Sequence, residues 1–378
     1  MKKILYITGT RADYGLMRYT LKAIDVNPNL NLSIAVTGMH LMPEYGNTIK
    51  EIINDNFNYF EVPVISEGDS LSSMSLFIGK FITQLTEKVS SLKPEIIMVL
   101  GDRSEMLGGA IVGSYLNIPV VHLHGGEVTS TIDEFARHAI TKLSHIHLAS
   151  TKASADRISR MGEDDWRIKV VGAPGLDQVI HKERLNRIQL FDKLGLKNKP
   201  TILVLQHPVS TEVEQADIQM NETLKAVEKT DYQIVVIYPN TDSGGRQIIK
   251  VIKKYSSQKS FFTFKNLPHS DFLSLLDNVE LLVGNSSCGI IESASFKLPV
   301  VNVGIRQEGR ERPINVIDTG YEESEITLAI TKALSQEFRK MISDCKNPYG
   351  DGLTAERVSI FLEKLEIDKK LIRKTISY

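Results

Sequence analysis

The sequence predicts an α/β protein made of two Rossmann-like, doubly wound domains. Three observations predict it: apolar runs of strand length alternate with helix-spaced patterns, no long antiparallel hairpin interrupts them, and Gly172-Ala173-Pro174-Gly175 divides them into two successive series. The expected division is a first domain over residues 1–172, a second over 173–354, and a charged helical tail over 355–378 that crosses back onto the first.

In order, residues 3–7 form the first strand, and Thr8-Gly9-Thr10-Arg11-Ala12-Asp13 turns into a helix marked by Leu16, Tyr19, Leu21 and Ile24. Residues 32–36 are a second strand, 45–53 a helix, 59–64 a short strand and 72–92 a long helix. The central stretch comes next. Residues 96–100 are an unbroken apolar run ending on Gly101-Asp102-Arg103, 106–116 have helical spacing, and 118–123 form a strand ending on His124-Gly125-Gly126-Glu127. A strand–helix–strand crossover is right-handed, so both strands run parallel and their carboxyl ends share one edge. Ligands bind at that edge. Topology therefore gathers Asp102, Arg103, His122, His124 and Glu127 at one rim, with Asp133, Glu134, Arg137 and His138 following on the next loop and helix. Residues 146–149 and 168–171 complete the first half, with Ser150-Thr151 as a helix cap between them. In the second half, residues 201–205, 233–238, 261–264, 281–283 and 300–303 repeat the alternation, and a cleft is expected between the halves.

The composition excludes several function classes. Lys+Arg 45 against Asp+Glu 46 gives a net charge of -1, so no global field favours nucleic acid or an anionic membrane. No apolar run approaches the ~18 residues of a membrane span. Two cysteines, Cys288 and Cys345, without a CxxC motif suit a reducing compartment, and a cytoplasmic protein is expected.

The turns carry the chemistry. A strand, Gly turn and helix start at Thr8–Asp13 offer backbone N–H groups to a phosphate or carboxylate, although a plain βα turn reads the same way. In the second half, Gln206-His207-Pro208 and Pro239-Asn240-Thr241-Asp242 end two strands. Gly284-Asn285-Ser286-Ser287-Cys288-Gly289 then opens a helix whose small residues, hydroxyls and dipole suit a phosphate. Glu292, placed on the first turn of that helix, could accept from ribose hydroxyls or simply favour the helix start. Arg306 and Arg310 follow the next strand, within reach of a diphosphate or on a solvated loop.

The Gly101-Asp102-Arg103 run, the segment from Gly125-Gly126-Glu127-Val128 through Ile132-Asp133-Glu134 to Arg137-His138-Ala139-Ile140-Thr141-Lys142-Leu143, His207-Pro208, the Gly284–Gly289 turn, Arg306-Gln307-x-Gly309-Arg310 and Asn347-Pro348-Tyr349-Gly350-Asp351-Gly352 together resemble the hydrolysing UDP-N-acetylglucosamine 2-epimerases. The resemblance spans nearly the whole chain with motifs in matching order. It implies a glycosyltransferase-B type fold and release of UDP and N-acetylmannosamine for sialic acid synthesis. A close branch acts on a 2,4-diacetamido-trideoxy sugar for legionaminic acid. The resemblance further implies acid/base roles for Asp102 and Asp133, a place for His207 near the diphosphate or reacting sugar, and nucleotide or substrate contacts for Arg11, Asn240, Ser286, Ser287 and Glu292. His124 departs from the pattern, where sialic-acid members carry an acidic residue; an imidazole can serve as acid or base, and Glu127 can share that role.

The expected site thus has Asp102, His124, Glu127, Asp133 and His207 as catalytic residues. Arg11, Arg103, Arg137, His138, Asn240, Asn285, Ser286, Ser287, Gly289, Glu292, Arg306 and Arg310 bind the substrate. No metal or cofactor is called for, and a homodimer or homotetramer is expected. Three other readings stand beside it: a metallohydrolase using His122-x-His124, whose histidines would point to one side of a strand; a glycosyltransferase on the same frame; and a nucleotide-sugar-binding regulator. Asp102 alone also reads as the cap of a helix starting at Arg103.

Overall fold

The apolar runs become strands buried on both faces, as parallel sheets require. The computed structural model describes residues 1–42, 48–65, 71–128, 133–181, 184–209, 211–239 and 244–377, and at Leu71, Ser72 and Asp133 the backbone alone. The first sheet contains β1 (Lys2–Thr8), β2 (Leu30–Val36), β3 (Tyr59–Glu61), β4 (Ile96–Leu100), β5 (Val120–Leu123), β6 (Ile146–Ala149) and β7 (Ile168–Val170), in the order β3-β2-β1-β4-β5-β6-β7. The second contains β8 (Thr201–Leu205), β9 (Gln233–Ile237), β10 (Phe261–Phe264), β11 (Leu281–Gly284), β12 (Val300–Val303) and β13 (Val316–Thr319), in the order β10-β9-β8-β11-β12-β13. The described pairings are all parallel. Strand order reverses at β1/β4 and at β8/β11, the switch points beside which α/β sheets bind ligands.

Alternation explains the runs. Ile4, Tyr6, Ile96, Met98 and Leu100 face a core that includes Met17, Leu21 and Ile24 of the helix Arg11–Asp25. Leu5, Ile7, Ile97 and Val99 face the opposite core, with Phe81 and Leu85 of the helix Leu71–Leu92 and Met106 and Ala110 of the helix Ser104–Tyr115.

Two compact units result. The first takes in the chain through Ile180 and again from Tyr349; the second runs His181–Pro348. Gly172–Gly175 therefore lies inside the first unit rather than at its border. The Ala173 N–H donates to the Tyr349 carbonyl (2.7 Å) and the Asp177 carboxylate accepts from the Ala355 N–H (2.9 Å), which keeps this turn and the returning chain together.

The returning chain is bound by three cations, of which Arg167 is buried and Lys2 and Lys374 are half-buried. Its helix Thr354–Lys364 lies on Arg11–Asp25, and the Lys2 ammonium caps it at the carbonyls of Leu362 (2.7 Å) and Leu365 (2.6 Å). Arg167, fully buried, donates to the carbonyls of His145, Leu371, Lys370 and Arg373 at 2.9–3.1 Å. Lys374 donates to the last carbonyls of the helix Asp133–Leu143, at Thr141 (3.1 Å) and Lys142 (2.8 Å), and to Ser144 beyond it (2.6 Å). The same ammonium pairs at 2.7 Å with Glu163, whose fully buried carboxylate also meets Lys142 (2.7 Å) and His147 (3.1 Å). Burial alone pushes the Glu163 carboxyl up, but hydrogen bonds from His147, Lys142 and Lys374 outweigh it and hold it at about 2.

Three elements differ from expectation. β13 carries no unbroken apolar run, because it is a half-exposed edge strand and Asp318 on it pairs with Arg312. The helix expected over 45–53 is Ile49–Asn54, and residues 43–47 lie outside the described residues. The strand expected over 59–64 ends at Glu61. Among the described residues, no helix is long and apolar enough to cross a membrane.

Candidate active site

In the first unit, polar residues converge where β1, β4 and β5 end. Gly101, at φ +72°, turns the chain out of β4, so Asp102 and Arg103 stand before the helix Ser104–Tyr115. Asp102 does not cap that helix: Arg103 occupies the cap position, and the Asp102 carboxylate forms an ion pair with Arg137 instead. Arg137, only 3% exposed, also donates to the Glu127 carbonyl (3.1 Å) and pairs with Glu134 (3.4 Å). Glu134 in turn meets His138 Nε2 at 2.9 Å. Four of the expected residues, Asp102, Glu127, Arg137 and His138, are thus joined through one guanidinium and Glu134.

His124 stands just past the end of β5 in the left-handed region, at φ +59°. For a residue with a Cβ that conformation costs roughly 1–2 kcal/mol. Its Nδ1 lies 3.0 Å from Glu127 Oε1, and Glu127 is 6% exposed. A carboxylate on Nδ1 fixes the ring and favours a proton there, which leaves Nε2 for chemistry.

The same geometry removes the expected alignment of His122 with His124. His122 remains in β5, fully buried, and its Nε2 lies 2.7 Å from the Gly101 carbonyl, whereas His124 has left the strand and meets Glu127.

The Thr8–Asp13 turn does not offer open donors. Asp13 closes a capping box with Thr10, and its Oδ2 accepts from the N–H groups of Gly9 (3.2 Å) and Thr10 (2.8 Å), the groups expected to meet a phosphate. Burial pushes the Asp13 carboxyl up to about 6 against hydrogen bonds from Thr8 and Thr10. Arg11 is exposed as the first residue of the helix. The Arg103 guanidinium is held by Glu105 at 3.3 Å through two nitrogens, and Glu105 is buried. Neither Asp13 nor Glu105 was among the expected site residues. Thr10-x-x-Asp13 has the spacing of a capping box, a signal that was available; Glu105 has none.

In the second unit the ends of β8 and β11 flank the other switch point. Gly284 adopts φ +137°, and a Cβ there would lie 2.1 Å from the Leu205 carbonyl oxygen, so the strands approach only with glycine. Asn285 is 0% exposed; its Oδ1 accepts from the His207 N–H (2.7 Å) and its Nδ2 donates to the His207 carbonyl (2.9 Å). Asn285 therefore holds His207 rather than presenting its amide to a ligand. Its own carbonyl receives Arg306 (3.2 Å) and Gln307 (2.9 Å), which ties the Arg306–Arg310 loop to the same turn.

The helix after this turn is one turn long, Cys288–Ile291, so little macrodipole is available, and Glu292 follows its end rather than lying on a first turn. Gly289 packs on the sheet: a Cβ there would lie 3.1 Å from Val300 and 3.2 Å from Leu282, which explains the glycine without a ligand. Ser286 Oγ accepts from the Cys288 thiol (3.2 Å), which burial pushes up to about 12, away from reactivity. Ser286, Ser287, Glu292, Arg306 and Arg310 are half-buried around the turn. Asn240 and the Asp133 side chain lie outside the described residues.

The profile of the UDP-N-acetylglucosamine 2-epimerase family matches residues 22–363. The chain belongs to that family. A Legionella pneumophila relative named UDP-N,N'-diacetylbacillosamine 2-epimerase (hydrolyzing) is 43% identical over 100% of both chains. A Neisseria meningitidis relative named UDP-N-acetylglucosamine 2-epimerase is 36% identical over 89% of this chain and 88% of its own. The fold matches that of a solved UDP-GlcNAc 2-epimerase from Neisseria meningitidis, bound to UDP-GlcNAc, with a TM-score of 0.80 at 18% identity, covering 97% of this chain and 100% of that one. This epimerase-family chain thus has the two Rossmann-like sheets of the glycosyltransferase-B type.

Proposed function

We propose that the protein is a hydrolysing UDP-sugar 2-epimerase whose substrate is UDP-2,4-diacetamido-2,4,6-trideoxyglucose, with UDP-N-acetylglucosamine as the second reading. The observation that carries the reaction class is the Asp102–Arg137 pair beside the His124–Glu127 pair at one sheet edge. The substrate branch rests on the 43% identity to the diacetylbacillosamine enzyme against 36% to the N-acetylglucosamine enzyme.

The reaction needs two proton transfers at C2. A base takes the C2 proton while the C1–O bond breaks and its electron pair leaves with UDP, giving a 2-acetamidoglycal. Water then adds its hydroxyl to C1, and a proton returns to C2 on the other face. Asp102, Asp133 and the His124–Glu127 pair carry these transfers. His207, Ser287, Arg306 and Arg310 hold the departing diphosphate.

With no acceptor sugar present, the enzyme releases UDP from the diacetamido substrate in deuterated water and yields a manno-configured sugar carrying deuterium at C2. Absence of C2 label refutes epimerisation by proton exchange, and an absolute need for an acceptor points to a glycosyltransferase. Faster turnover of UDP-N-acetylglucosamine reverses the substrate assignment. Ser287→Ala and Arg310→Ala each weaken UDP binding by about 1.5–3 kcal/mol, the range for hydrogen bonds to charged groups. Calorimetric titration checks this, and unchanged affinity in both variants removes the diphosphate assignment.

A further inference from the structure

We propose that His122 is the positioning residue that locks together the three segments carrying the acid/base groups of the first unit: the β4 end with Asp102, the β5 end with His124 and Glu127, and the helix with Arg137. The inference rests on the reading of these groups as catalytic.

His122 sits in β5 among Val120, Val121 and Leu123, all buried, where an apolar residue would satisfy packing. A polar ring at such a place costs free energy unless both nitrogens are bonded. His122 Nε2 lies 2.7 Å from the Gly101 carbonyl, the last peptide before Asp102. A carbonyl only accepts, so Nε2 carries the proton and donates. Nδ1 then faces the Thr141 hydroxyl at 3.4 Å, whose single proton is shared between that nitrogen and the Arg137 carbonyl at 3.1 Å, one helical turn back.

The third segment packs on the ring. A Cβ at Gly125 would lie 2.8 Å from His122 Nδ1 and 3.2 Å from Thr141 Oγ1, so the chain between His124 and Glu127 closes directly over the imidazole. The ring remains neutral in this role: burial lowers its pKa to about 3, which preserves one donor and one acceptor across the working range. His122 thus reaches every acid/base element without being exposed to a substrate.

Three variants test the link in the full chain: His122→Phe, which keeps the ring and loses both bonds; His122→Gln, whose amide can still donate to Gly101; and Thr141→Val. His122→Phe lowers kcat about 100-fold, the scale expected when catalytic groups shift by ~1 Å, while KM and UDP affinity stay within about twofold. His122→Gln recovers at least about tenfold of that loss, and Thr141→Val loses about tenfold in kcat, with KM again unmoved. Hydrogen exchange of peptides covering residues 101–106 and 124–128 quickens in His122→Phe and returns in His122→Gln, a readout independent of turnover. Full kcat in His122→Phe, a loss confined to KM, or a Gln variant no better than Phe overturns the proposal. If His122→Phe does not fold, unchanged kcat and exchange in Thr141→Val do the same. A wild-type protein that turns over no UDP-sugar instead defeats the catalytic reading, and unchanged exchange in the variants then defeats the positioning role on its own.

Discussion

Asp102→Asn lowers kcat for the UDP-sugar about 10²–10⁴-fold, the contribution of a positioned acid or base, while UDP affinity is retained. Asparagine keeps the shape of the side chain and an oxygen for Arg137, so the ion pair becomes a neutral contact and the proton-transfer capacity is lost. The nucleotide-binding residues proposed here belong to the second unit, which is why binding and turnover separate. Steady-state kinetics with a UDP titration checks this, and a variant of wild-type kcat ends the assignment. A parallel loss of UDP affinity would mean that Asp102 contributes to binding instead.

Glu163→Gln destabilises the first unit by about 3–5 kcal/mol, the cost of removing one partner from a buried charge cluster. The carboxylate is fully buried among Lys142, Lys374 and His147, and it is the counter-charge that the 14%-exposed Lys374 ammonium has among the described residues. The pH dependence has a definite sign. The folded value of about 2 lies below the ordinary 4.5, so this stabilisation is complete above about 4.5 and drains away as pH falls through about 2. Urea unfolding at neutral pH reads the loss, and the variant also lacks this part of the wild-type acid sensitivity. Equal stability of the two proteins at neutral pH would remove Glu163 as the keystone of the cluster.

The sequence made the sheets legible because parallel strands are buried on both faces: residues 96–100 are apolar without exception, and the structure places them in β4. β13 escaped because an exposed edge strand tolerates Asp318 and Thr319. The carboxyl-edge cluster followed from topology, which needs no side-chain detail. The departures are matters of detail that residue type does not encode. An asparagine in a tight turn serves a ligand or a neighbouring backbone equally well, and Asn285 does the second. A threonine–aspartate pair at a helix start can welcome an anion or supply its own, and Asp13 supplies one. No periodicity reveals that His124 takes a left-handed conformation, or that Arg167 meets the carbonyl of Arg373.

The chain from Tyr349 onward completes the first unit, which makes the second unit an insertion into it. During synthesis Met17, Leu21 and Ile24 therefore emerge long before Val358 and Leu362, the side chains that share their core. The core of the amino-terminal sheet therefore stays incomplete until Val358, Leu362 and Leu371 have been made, and its exposed apolar side chains must wait through the synthesis of residues 181–348.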